Sequence, residues 1–177
     1  MSDAVTIRRA TADDVDYLVG LVTHGDVAPF LAAIRPGSAE ELHAAIAAAD
    51  ADPDASGLYV IEVGGERAGT MAFQRVNRRS RIAGLEGLAV DPRFRGRGVA
   101  DTAARLFQRH LIDELDFHRL QLEVYAFNER AIRHAERAGF VREGVRRSAY
   151  WRNETWVDGV LFGLVAEDLA GDGPPLR

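Results

Sequence analysis

No cysteine occurs in the 177 residues, which removes disulfides, thiolate metal ligands and a cysteine nucleophile together and is neutral about compartment. No apolar run approaches the length that spans a bilayer, and the Met1-Ser2-Asp3 start is not followed by the basic and then apolar stretch of a secretory leader. No charge of one sign dominates either. Lys and Arg number 22 against 27 Asp and Glu, a net charge of -5, with both signs mixed along the chain. A binder of phosphate backbones needs a basic face, so nucleic acid is not an expected partner, and neither is a membrane. The reading is a soluble, cytoplasmic protein.

Hydrophobic residues make up 47% of the chain, enough for one substantial core and too few residues for two. This predicts one domain over residues 1–170, followed by a frayed Gly/Pro-rich tail over 171–177.

The patterning mixes both periods. Val5 to Arg8 alternates as a half-buried strand, and Thr11-Ala12-Asp13-Asp14 reads as the cap of a helix carrying Val15, Leu18, Val19 and Val22. A second cap, Ser38-Ala39-Glu40-Glu41, precedes Leu42, Ala45, Ile46 and Ala49 at helical spacing, and Asp52-Pro53-Asp54 stops that helix. Between them, residues 26–34 read as a short helix or an ordered loop. Leu58 to Val63, Gly64-Gly65 and a run to Phe73 form a hairpin signal, with a further strand over Ile82 to Val90. Val99, Ala103, Leu106, Phe107, Leu111 and Leu115 follow a 3.6-residue period and predict a helix from Gly98 to Leu115. A strand over Leu120 to Tyr125, a helix over Asn128 to Ala138 stopped by Gly139, and two strands around Val141 to Arg147 and Trp156 to Val165 complete the order.

The stretch from Leu85 to Ala100 carries the chemistry: a strand, a turn at Asp91-Pro92, then Arg93-Phe94-Arg95-Gly96-Arg97-Gly98 opening a helix. Helix-start amides have no intrahelical acceptor and sit at the positive end of the dipole, glycines let an oxyanion approach the backbone, and the arginines add charge. A pyrophosphate fits such a cradle. The spacing is not a P-loop, because no Gly-Lys-Ser/Thr follows, and it is not a dinucleotide fingerprint, because Asp101 stands at the third glycine position.

Arg93-x-x-Gly96-x-Gly98 after Leu88-Ala89-Val90-Asp91-Pro92 resembles the acetyl-CoA motif of the GNAT N-acetyltransferases. Asn128-x-x-Ala131-x-x-x-x-Glu136-x-x-Gly139-Phe140, with Glu143-Gly144 and Trp156-x-Asp158, is similar to their RimJ/RimL-type branch. The resemblance, from about Val5 to Leu169, implies an α+β GNAT fold: a mixed, mainly antiparallel, curved sheet of about seven strands flanked by helices. It implies that the backbone of Leu88, Ala89 and Val90 pairs with the pantetheine arm, and that amides from Arg95 to Ala100, Val99 among them, hold the pyrophosphate. The strand of Leu88 to Val90 then splays from that of Leu122 to Tyr125 to admit the thioester. Asn128 stands beside the opening, a role compatible with a helix cap.

The reaction so implied moves an acetyl group to a primary amine by direct attack in a ternary complex. An alkyl ammonium of pKa about 10 is only about a thousandth deprotonated at pH 7, so a base is useful. Glu86 is the candidate; an ion-paired strand carboxylate is the alternative. A backbone amide near Leu88 or Ala89 would receive the oxyanion. Family relatives carry a Tyr or Ser acid where this chain has Ala135 and Ala131, which leaves Tyr125 or water to protonate the thiolate. Tyr150 and Trp151, in a polar-aromatic segment with Ser148 between the last two strands, are candidates for the acceptor pocket or for packing. Trp156 and Phe162 read as core or dimer contacts. His24, His43, His110, His118 and His134 show no i,i+4 pair or ligand grouping with carboxylates, so no metal is expected. The acceptor is a protein N-terminus or a small-molecule amine, and a homodimer is a family-level expectation. A non-catalytic acyl-CoA sensor is the alternative that the missing Tyr and Ser motivate.

Overall fold

The structure, a computed structural model, describes residues 4–31 and 37–170. Strand β1 (Val5–Arg9) leads through one 3-10 turn (Ala12–Asp14) into α1 (Val15–Val22). Helix α2 (Ala39–Ala51) starts on the expected cap: the Ser38 hydroxyl accepts the Glu41 N–H at 3.2 Å, and the Glu41 carboxylate accepts the N–H groups of Ser38 and Gly37. Of the segment 26–34, Ala28–Phe30 is a 3-10 turn; residues 32–34, like the tail 171–177, lie outside the described residues. Strands β2 (Ser56–Val63) and β3 (Glu66–Asn77) meet at Gly64 and Gly65, whose φ angles of 59° and 86° are what a tight hairpin turn needs. Strand β4 (Ile82–Val90) has the expected limits. Helix α3 (Val99–Arg109) passes into wider π-type turns over His110–Glu114. Strand β5 (Arg119–Tyr125), α4 (Glu129–Arg137), β6 (Val141–Arg152), β7 (Thr155–Val165) and α5 (Ala166–Ala170) follow.

The seven strands form one sheet in the order β1-β2-β3-β4-β5-β7-β6, antiparallel throughout except for β4 against β5. This is the expected GNAT architecture, and its single strand–helix–strand crossover is β4-α3-β5. The last hairpin corrects the sequence reading. Ser148, Tyr150 and Trp151 lie on β6 itself, and the turn falls at Asn153 and Glu154. The ladder shifts register between Arg146 and Tyr150, where Ser148 takes φ 47° and its N–H donates to Asp158 at 2.7 Å. Trp156 is also not core: it is exposed and packs edge-on against Trp151, whereas Phe162 is buried.

Alternation along β2 assigns the two faces of the sheet. Tyr59, Ile61 and Val63 join the core beneath α3 and α4, with Phe73, Phe107, Leu111 and Phe140. Leu58 and Val60 point the other way and pack with Leu18, Leu42 and Ile46 of α1 and α2. Gly69 on β3 marks a close approach, because a methyl group there would overlap the Ala89 carbonyl oxygen and press on the Val90 backbone. Gly69→Ala is therefore expected to separate β3 from the end of β4 at a cost of about 1–3 kcal/mol, read as a lower denaturant midpoint. Among the described residues, no helix is long and apolar enough to cross a membrane.

Candidate active site

Strands β4 and β5 pair only over Ile82–Gly84 against Arg119–Gln121. Beyond that seam β4 stays with β3, β5 stays with β7, and the gap between them is a cavity of about 1090 Å³. A bulge lies at the point of departure. Thr70 faces Ala89 and Ala72 faces Glu86, so Met71 stands against both Gly87 and Leu88, with Gly87 at φ 70°. A bulge sharpens local twist and interrupts the ladder, which turns the end of β4 away from β5.

The end of β4 runs directly into the glycine loop that opens α3. Asp91 caps the turn Pro92–Phe94 by accepting the Arg93 N–H at 3.0 Å, and Arg95 donates to the carbonyls of Val90 at 3.1 Å and Asp26 at 3.3 Å. Gly96 and Gly98 hold φ 75° and 72°, conformations that disfavour any side chain, and a Cβ at either would meet nothing within 4 Å. The backbone thus fronts open space. The first intrahelical bond of α3 runs from the Thr102 N–H to the Gly98 carbonyl, so the amides before it have no acceptor in the helix. Leu88, Ala89, Val90, Arg95, Gly96, Gly98, Val99 and Ala100 all line the cavity. Arg93 and Arg97 do not. They bracket Phe94, at 5.4 and 5.9 Å from its ring, and line a separate recess of about 330 Å³ with Glu66, and Arg93 is ion-paired to Asp91 at 2.9 Å.

The opposite wall is the end of β5 with α4. Asn128 Oδ1 accepts the Ala131 N–H at 3.2 Å, so Asn128 caps α4 and lines the cavity at once. Tyr125 is buried, stacked on Phe127 with centroids 5.2 Å apart, edge-on to Tyr150, and beneath the Arg152 guanidinium at 5.1 Å. Tyr150 and Trp151 line the same cavity. Partial burial, and after it the neighbouring Glu123 carboxylate, pushes the Tyr150 phenol above its usual range.

The cavity opens on both faces of the sheet. Leu120, Leu122 and Val124 belong to the core beneath α3 and α4, so Glu123 and Tyr125 point to the other face. Glu86 shares that face with Ala89, since their partners Ala72 and Thr70 are two residues apart on β3, and Ala89 packs against Leu21 and Val27 beside α1. Its carboxylate accepts from the Gln74 side chain at 3.3 Å. The loop Arg95–Ala100 and Asn128 serve one mouth; Glu86, Tyr125 and Tyr150 serve the other.

The sequence reading missed several residues. Arg130, His134 and Arg137 form an i, i+4, i+7 stripe on α4 that lines the first mouth, a periodicity legible in the chain. Facing them, Asp101 pairs with His134 at 2.8 Å and Arg137 at 3.3 Å; burial opposes its ionisation, but these partners outweigh it and hold the carboxyl below its usual range. Three histidines pair singly with carboxylates, His134 with Asp101, His110 with Glu114 four residues on, and His118 with Glu167. Among the described residues no three such side chains converge. Glu123 and Arg152 also line the cavity.

A splayed parallel pair with a glycine cradle at one strand's end is matched by a family model, Acetyltransferase (GNAT) family, over residues 27–140. The chain belongs to this family. Among GNAT relatives it is 33% identical over 82 residues to a Bacillus subtilis prophage-derived uncharacterized N-acetyltransferase, covering 46% of each chain. It is 33% identical over 86 residues to the Escherichia coli spermidine N(1)-acetyltransferase, covering 49% of this chain and 46% of that one. The match to the Salmonella typhimurium ribosomal protein bS18-alanine N-acetyltransferase is 38% over 85 residues, 46% of this chain and 55% of the relative. The chain spans about half the length of the curated relatives it matches. The fold extends further: the Vibrio cholerae spermidine N-acetyltransferase solved with CoA and spermine superposes with TM-score 0.85 at 20% identity, over 94% of this GNAT chain and 98% of that one.

Proposed function

We propose that this GNAT protein is an N-acetyltransferase that moves an acetyl group from acetyl-CoA to a primary amine by direct attack in a ternary complex. One observation carries the reading: a single cavity crosses the sheet, with the glycine loop before α3 at one mouth and carboxylate and phenol groups at the other. Acetyl-CoA supplies an acyl thioester when bound. The open space before Gly96 and Gly98, the unpartnered amides of α3 and the free edge of Leu88–Val90 fit a pyrophosphate followed by an extended arm. Arg95, Val99, Ala100 and Asn128 complete that lining, with Arg130 and Arg137 of the α4 stripe adding positive charge.

At the other mouth Glu86 is the proposed base, taking a proton from the amine directly or through water. An amide at the Gly87–Leu88 bulge is the proposed oxyanion donor. Tyr125, at the end of β5, or water returns the proton to the thiolate; Ala131 and Ala135 remove the side chains that would otherwise compete for this role. Tyr150 and Trp151 are the proposed acceptor walls. A family of amine acetylators acting on either spermidine or a ribosomal protein leaves both small amines and protein N-termini as acceptor candidates.

Calorimetry with acetyl-CoA tests the reading. Wild type is expected to bind in the micromolar range, and Gly96→Glu, which sets a carboxylate in the space before the cradle, is expected to lose about a hundredfold, roughly 2.7 kcal/mol. A folded wild type that does not bind overturns it. Glu86→Gln is expected to retain acetyl-CoA affinity while kcat falls about a hundredfold or more, which also separates transfer from mere sensing of acyl-CoA.

A further inference from the structure

His134 lines the cavity beside the glycine loop, is only 15% exposed at its side chain, and has no part in the transfer chemistry. Its Nδ1 lies 2.8 Å from Asp101 Oδ1, and Arg137 donates to the same oxygen at 3.3 Å. Asp101 sits in the first turn of α3, among the amides that have no acceptor in the helix. A carboxylate there complements the helix dipole, so it competes with any other anion brought to those amides. Arg137 offsets that charge permanently. The protonation of His134 then decides whether the three-residue cluster is neutral or carries one positive charge.

The surroundings leave this proton under the control of few groups. Past Asp101, α3 offers the cavity only the uncharged Ala104, Phe107 and Gln108. On α4, Arg130 and Arg137 stand one turn before and one turn after His134, and Arg95 comes from the loop; all three are permanent cations. The remaining carboxylates of the lining, Asp26, Glu86 and Glu123, belong to the α1 side of the sheet, opposite α4. A diphosphate at the loop would thus be the dominant new charge felt by the imidazole, and histidine is the side chain whose charge changes between about pH 5 and 8.

Resting on the acetyl-transfer reading, we propose that His134 makes cofactor binding proton-linked: the anionic cofactor is held more tightly when His134 is protonated, and its binding draws a proton onto the imidazole. The sign follows from linkage. An anion favours the charged imidazole, so each ligand, proton and cofactor, raises the affinity of the other by the same factor. Affinity is greatest at mildly acidic pH and falls as pH rises through the range in which His134 loses its proton. The pair with Asp101 also docks α4 on α3, a role that by itself would give no such pH dependence.

The test is calorimetric titration of dephospho-CoA and acetyl-CoA into wild type and His134→Gln between about pH 6 and pH 8. Dephospho-CoA is the deciding probe, because it lacks the phosphomonoester of acetyl-CoA, which itself titrates near pH about 6. Wild type is expected to bind dephospho-CoA about tenfold more tightly at the acidic end than at the alkaline end. His134→Gln keeps a donor for Asp101 and is expected to bind with little pH dependence, near the alkaline affinity of wild type. In NMR of wild type, the His134 imidazole is expected to titrate at higher pH with dephospho-CoA bound than without, a readout that needs no variant to fold. The same pH slope in wild type and His134→Gln, a loss in His134→Gln that is equal at both ends of the range, or an imidazole titration unmoved by the ligand each overturns the inference while leaving cofactor binding in place. A folded wild type that binds neither probe at any pH overturns the acetyl-transfer reading and the linkage together.

Discussion

Asp14→Ala is expected to destabilise the protein by about 3 kcal/mol, measured as a fall in urea midpoint at constant slope. The Asp14 side chain is completely buried and accepts from Arg8 Nη1 at 2.7 Å, Arg8 Nη2 at 2.9 Å, Arg67 Nε at 2.7 Å and the Thr11 N–H at 2.8 Å. It ties β1, the start of α1 and β3 together. Removing it strands two guanidinium groups, but these are 36% and 40% exposed and regain water, which places the loss at the lower end for a broken buried pair. The pH dependence has a definite sign. Hydrogen bonding to Arg8, working against burial, holds the Asp14 carboxyl far below its usual range. A depressed folded value means the stabilisation is fully present above the unfolded value of about 3.9 and is lost as pH falls from there toward the folded value. Wild type should therefore lose stability steeply below about pH 4, and Asp14→Ala should show a shallower acid limb.

Phe73→Ala is expected to cost about 3–5 kcal/mol. Phe73 is 1% exposed, and its ring contacts Phe117 at 5.6 Å, Phe107 at 6.2 Å and Tyr59 at 6.4 Å between centroids. These neighbours come from α3, from the segment before β5 and from β2, so the cavity left behind lies where the crossover helix rests on the sheet. Truncation there removes both transfer energy and packing that the aromatic cluster cannot recover by local collapse. Because the proposed pyrophosphate loop opens α3, the same variant is expected to weaken the proposed acetyl-CoA binding measurably while a peripheral change of equal cost does not.

Local rules made most elements legible. The two capping boxes, the Gly64-Gly65 turn and the limits of β4 each depend on residues adjacent in sequence, and each is found where the pattern sets it. The positive φ of Gly96 and Gly98 at the start of α3 was legible for the same reason, since the loop is one continuous stretch. The end of β6 was not: the register shift between Arg146 and Tyr150 breaks the two-residue period, and most of that strand is exposed on both faces, so no apolar alternation marks it. Asp14 reads as an ordinary helix-start carboxylate because its partner Arg67 is 53 residues away. Glu123 reads as the polar side of an alternating strand, and only the parting of β4 from β5 turns that side into a cavity wall.

That parting also divides the backbone into two blocks. Strands β1 to β4 and strands β5 to β7 share just the three register pairs of the seam; α3 with its aromatic core, the Phe30–Phe127 contact and the bond from Arg152 to the Leu31 carbonyl link the two blocks further. Amides of residues 122–125 that point away from β7 have no ladder partner across the gap. They should exchange with deuterium faster than their neighbours paired to β7, and a strand-like guest laid along Leu88–Val90 would slow them and raise the melting temperature by mass action. The sheet is thus incomplete along this gap, and a guest paired to its free edge would supply the missing cohesion.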